Sequence, residues 1–238
     1  MTTKVGMGLA ALGLGAAVLT GCGGGDDGDG GGGDFEGQSA DKIVEQAKKD
    51  MDGLKAVRVA GSVTTDGQEI ELDMQLNTDA DCTGTIGFGG GTTELLGTGG
   101  SVWMKPDETF WKAFAGDSAD QVITVVGDKW VVVPAGEDGF AELCDLDDLL
   151  DELISDDDTD YTKAGDDEID GERVLAVESK DEDGSSTGYV VVDEPHYLVK
   201  VEKTEGDEPG SVAFSEFDEE FSVEAPAGDE VIDLNDLG

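Results

Sequence analysis

The chemistry open to this chain is bounded first by what its reactive residues lack. The single histidine, His196, follows Pro195, and no serine or cysteine stands in a nucleophile motif, so neither a Ser-His-Asp nor a Cys-His arrangement is indicated. His196 reads as an exposed turn residue. Carboxylates are so frequent, 57 Asp and Glu in 238 residues, that any two could be drawn as an acid and a base, and none is informative. Asp156, Asp158 and Asp160 have the step of a calcium loop. Tyr161, however, stands where such a loop needs glycine, and Asp167 where it needs a bidentate glutamate. Asp166, Glu168 and Asp170 lead correctly to Gly171 but end on Val177. With no Cys-x-x-Cys pair and no Cys/His cluster, no catalytic residue, metal ligand set or cofactor is assigned, and the chain is not expected to be an enzyme.

The cysteines carry more information. Leu19-Thr20-Gly21-Cys22 closes a stretch running from Lys4 through Val5, Leu9, Leu12, Leu14 and Val18 without an acidic residue. That is the form of a bacterial secretory signal ending in a lipobox, in which the Cys22 sulfur receives a diacylglyceryl group and becomes the first residue after cleavage. The apolar run is shorter than the ~20 residues a bilayer crossing needs and is broken by Gly6, Gly8, Gly13 and Gly15. The address expected is the extracytoplasmic face of the cell membrane, held by lipid at Cys22. Cys82 and Cys144 remain as an even pair in an oxidising compartment. They read as one disulfide, the alternative being two separate buried thiols.

Composition sets the surroundings. A net charge of −43 repels nucleic acid and anionic headgroups and attracts cations and basic partners. It is also what a strongly solvated surface with no specific partner would carry. Residues 1–21 are read as the signal peptide and 22–38 as Cys22 plus a Gly/Asp tether too apolar-poor to fold. Residues 39–226 are read as one domain and 227–238 as a loosely held acidic tail.

The elements that would position any site follow from periodicity. Ser39 opens a helix with Ile43, Ala47, Met51 and Leu54 on one face. Val57, Val59 and Val63 alternate with Arg58, Ala60, Ser62 and Thr64 up to the Asp66-Gly67 turn, and Ile70, Leu72, Met74 and Leu76 alternate with Glu69, Glu71, Asp73 and Gln75. One covered and one wet face is the pattern of an antiparallel sheet. Further strands are predicted at 82–88, 92–96 and 102–105. Helices are predicted at 106–114 and 118–126, a strand at 130–133, and a helix from Phe140 that carries Cys144. Strands return at 173–177, 188–192, 197–201 and 212–217. The apolar set Ile70, Leu72, Met74, Leu76, Val102, Met104, Phe110, Trp111 and Phe114 is either packed core or the lining of a cavity.

Taken together, the lipobox, the tether, Leu54–Val63, the Ser101–Lys105 strand leading to Phe110-Trp111, Lys129-Trp130-Val131 and the Asp170-Gly171 turn before Val174–Val177 resemble the actinobacterial LppX/LprG-type lipoproteins. More distantly they are similar to the lipoprotein carriers LolA and LolB. The resemblance implies an α+β fold, a curved antiparallel half-barrel with helices over its concave face and an apolar cavity that takes acyl chains. The expected function is an anchored, monomeric carrier or sensor of lipids, with the nine residues above as lining. The alternative is an acidic cell-surface interaction protein with a filled core. No nucleic-acid partner is expected.

Overall fold

The computed structural model describes residues 35–65, 67–133, 142–154, 160–181, 184–204, 206 and 208–234, all within the compact unit Gly33–Gly238. Residues 1–34, which hold Cys22 and are read above as the signal peptide and most of the tether, lie outside the described residues. Helix α1 (Ala40–Met51) is followed by five strands, β1 (Ala56–Thr65), β2 (Gln68–Asn77), β3 (Cys82–Phe88), β4 (Gly91–Thr98) and β5 (Ser101–Pro106). Two short helices, α2 (Glu108–Ala115) and α3 (Ala119–Val126), precede β6 (Trp130–Val133). Helix α4 (Leu146–Ile154) leads into β7 (Asp160–Ile169), β8 (Glu172–Asp181), β9 (Gly184–Val191), β10 (Leu198–Lys203) and β11 (Gly210–Ser215). The last strand is β12 (Val231–Ile232).

All twelve strands form one open sheet in the order β12-β6-β5-β4-β3-β2-β1-β11-β10-β9-β8-β7. Every neighbour pair is antiparallel except β12 on β6. The fold is the α+β half-barrel that the sequence resemblance implies. Register explains the two faces. Val57, Val59 and Val63 stand opposite Leu76, Met74 and Ile70, and these continue across to Cys82 and Phe88 on β3. On the other side Val59 meets Phe214. This inner face joins Ile43 and Met51 of α1, Phe110 and Trp111 of α2, Val126 of α3 and Leu146 and Leu150 of α4 in one core.

The helices are seated by small local devices. Asp107 caps α2 through Oδ1, which accepts from the Phe110 amide at 2.7 Å, while its Oδ2 accepts from the Thr92 amide at 3.0 Å. The first turn of α2 therefore lies directly on β4, and a Cβ at Gly91 would fall 1.9 Å from the Phe110 nitrogen. Cys82 and Cys144 form the disulfide, their Cα atoms 5.2 Å apart. It crosses over Gly97, where a Cβ would sit 2.7 and 2.9 Å from the two sulfurs.

Four expectations change. Cys144 is not on a helix but in a 3₁₀ turn, Glu142–Cys144, because the Asp145 carboxylate accepts from the amides of Asp147 and Asp148 and starts α4 afresh. Asp160–Ile169, weighed above as parts of calcium loops, is the edge strand β7. Its pairing with β8 sets that conformation, although nearly every side chain is exposed. His196 is buried, 8% exposed, with its ring stacked on Phe35 at 3.6 Å. The segment after Pro226, expected to be loose, is pinned by β12, with Val231 opposite Trp130 and Ile232 opposite Val131.

The outer face is polar over β1 and β2. Arg58 donates from Nε and Nη2 to Asp73 at 2.7 and 2.8 Å and from Nη1 to Glu216 at 3.0 Å. Gln75 also donates to Glu216. The hydrogen bonds from Arg58 hold the Asp73 carboxyl below its usual range, and the same contacts push the guanidinium up. Both groups are more than a third exposed, so solvent screening limits the pair to below about 1 kcal/mol. It fixes register more than it adds stability.

Candidate functional site

Helix α1 covers the β7–β10 half of the sheet, and between them lies a partly open pocket of about 130 Å³. Its roof is Val44 and Ala47. Its floor is built from three rows of residues set side by side by strand register. The first row is Leu175, Val190 and Leu198, of which Val190 and Leu198 line the pocket. The second row carries Val177, Gly188 and Val201, all of which line it. The third row, Tyr161, Ser179 and Ser186, is polar and also lines the pocket. The rows reach inward together because β10 carries an irregularity between Leu198 and Lys200. That shift keeps both Leu198 and Val201 on the inner face and turns Val199 into a small outer cluster with Val174 and Val191.

The hollow exists because small side chains meet across it. Ala47 above faces Gly188, Ser179 and Ser186 below, so neither layer fills the gap that larger residues would close. Helix α1 is fastened at both ends. Lys163 of β7 donates to the carbonyls of Glu36 and Gln38 at 2.6 and 3.0 Å. Arg173 of β8 pairs with Glu36 at 2.8 Å. At the other end the His196 amide donates to Asp50 at 2.9 Å, while its Nδ1–H donates to the Val191 carbonyl at 3.2 Å. Next to it, burial first and then the charges of Asp218 and Asp50 push the Tyr197 phenol up.

The nine residues named from the sequence fall elsewhere on the same core. Met74, Leu76, Met104, Phe110 and Trp111 are buried, and Ile70, Leu72 and Val102 are partly buried against them. Phe114 is 56% exposed, its ring near those of Phe110 and Trp111. None of the nine lines the pocket under α1. Among the described residues Trp111 Nε1 is buried without a hydrogen-bond partner, a deficit that typically costs about 1–3 kcal/mol. The described residues contain no group of three or more His, Cys, Asp or Glu placed to hold a metal ion. None of their helices is long and apolar enough to cross a membrane.

Small inner residues on β8 and β9 were the signal that sequence reading passed over. Ser179, Ser186 and Gly188 alternate with outward residues around a turn, and only the register shows that they share a face beneath Ala47.

No protein-family model matches the sequence, and no curated protein matches it. Among solved structures the fold is similar to LprF from Mycobacterium bovis, with a TM-score of 0.56 and 18% identity over 79% of this chain and 97% of that one. It is similar as well to the Mycobacterium tuberculosis lipoprotein LppX, with a TM-score of 0.52 and 15% identity over 77% of this chain and 97% of the other. At such identities the likeness is one of fold.

Proposed function

We propose that this chain is a lipoprotein, anchored through Cys22 on the extracytoplasmic face of the cell membrane, that binds acyl chains beneath α1 as a carrier or sensor. The observation that carries this reading is the apolar pocket between a small-residue helix face and β8–β10, in a fold shared with two mycobacterial proteins of which LppX is described as a lipoprotein.

Binding of this kind needs no covalent chemistry. Each methylene taken from water contributes about 0.8 kcal/mol, so a few of them held between Val44, Val190 and Leu198 suffice for measurable affinity. At about 130 Å³ the pocket is close to an engineered apolar cavity of about 150 Å³ that takes benzene. It holds a short run of a chain as it stands. The remainder of a longer chain leaves through the open side of the pocket. The anchor and the tether keep the domain near its source of lipid.

Solvent extraction and mass spectrometry of the protein purified from its host without detergent test this reading. Near one lipid per protein is the expected result. A protein that comes out empty and also refuses fluorescent acyl probes would point instead to an acidic surface-interaction protein.

A further inference from the structure

The geometry points to an anionic head group on the ligand, a carboxylate or phosphate, seated at the polar end of the pocket against Lys203. This rests on the acyl-binding reading and adds to it the chemical class of the molecule bound. In register, Lys203 stands directly opposite Ser186, which itself stands opposite Ser179 and so continues the row to Tyr161. Directly opposed residues of an antiparallel pair share a face, with Cβ atoms about 5 Å apart. Lys203 therefore extends the polar row along one side of the pocket, two residues beyond the lining Val201 on its own strand.

Two further observations bear on charge. The residues lining the pocket include no Asp or Glu, in a chain where 57 of 238 residues are acidic. Lys203 is half-buried, and among the described residues its ammonium has no ion-pair partner. In a chain with about four carboxylates for every cation, a cation left unpaired on the covered face is an available counter-charge. Ser186, directly opposite, supplies a hydroxyl donor of the kind that completes the binding of an oxyanion, while the Ser179 hydroxyl donates to the Ser186 carbonyl. The apolar rows lead away from this end toward Leu198, so one amphiphile spans both.

The test compares decanoate, decyl phosphate and decanol, which share one tail, by calorimetric titration of the full chain and of Lys203→Gln, whose melting temperature is checked against the parent. At least one of the two anions is expected to bind about tenfold or more tightly than decanol, the tighter one identifying the head group. Lys203→Gln is expected to remove that preference and leave decanol unchanged, and added salt is expected to shrink it in the parent. Equal affinity of all three ligands for the parent, unaltered in Lys203→Gln, would overturn the anionic head group while leaving the apolar pocket standing. Failure of all three to bind would overturn both.

Discussion

Replacing Cys82 and Cys144 together by alanine is expected to lower the stability of the fold by about 4 kcal/mol in the chain-entropy model, the size set by a closed loop of 62 residues. Alanine is preferred to serine because both sulfurs lie in the core, at 0% and 2% exposure, where an unpaired hydroxyl would add a cost of its own. The bond ties the turn before α4 to β3 across Gly97. Its loss also removes the cross-link that holds the turn before that helix on the sheet. Urea denaturation of the double variant against the parent, both without reductant, measures the difference. A change below about 1 kcal/mol would mean that the unfolded chain is already restricted over this loop.

Gly188→Leu carries the other large effect, this time on binding. Gly188 has no positive φ, and a Cβ there would meet the Leu198 Cδ1 at 3.3 Å. The new side chain points into the pocket and takes up space that a ligand would use. If it displaces three or four methylenes at about 0.8 kcal/mol each, acyl-chain affinity falls by about a hundredfold. The contact it makes is with the far end of a flexible side chain, so the overpacking cost is about 1–3 kcal/mol or less. Titration with a fluorescent acyl probe and a melting curve separate the two effects. A folded Gly188→Leu protein that binds as well as the parent would place the ligand elsewhere.

Much of the fold was readable in advance because alternation and helical spacing are local. Ile70, Leu72, Met74 and Leu76 could only be one covered face, and Ile43, Ala47 and Met51 one helix stripe; both appear as read. What local spacing does not reveal is what stands opposite. Strand β7 has almost no apolar alternation and exists because β8 offers it a ladder. His196 looks like a turn residue until Phe35, far away in the chain, is laid on its ring. Val231 and Ile232 are too short a run to announce a strand, and only the exposed edge of β6 makes them one.

The same reasoning applies to the site. An apolar face in the sequence is either filled or hollow, and the difference lies in the sizes of residues that meet from separate elements. Phe110 and Trp111 fill their half of the sheet. Ala47, Gly188, Ser179 and Ser186 leave theirs open. Large aromatic and soft methionine side chains drew attention to β2, β5 and α2, whereas an opening is made by small ones. The lipobox reading rests on a contiguous motif, Leu19-Thr20-Gly21-Cys22, and Cys22 lies outside the described residues.

Acyl chains are expected to occupy the space under α1. Photo-affinity labelling with a fatty acid carrying a diazirine in its tail, followed by peptide mass spectrometry, tests this most directly. Adducts are expected in the peptides that carry Val44 and Ala47 and in those that carry Gly188 and Val190, competed away by unlabelled fatty acid. Adducts confined to β2, β5 and α2, or to the exposed side chains of Phe114 and Val125, would contradict it.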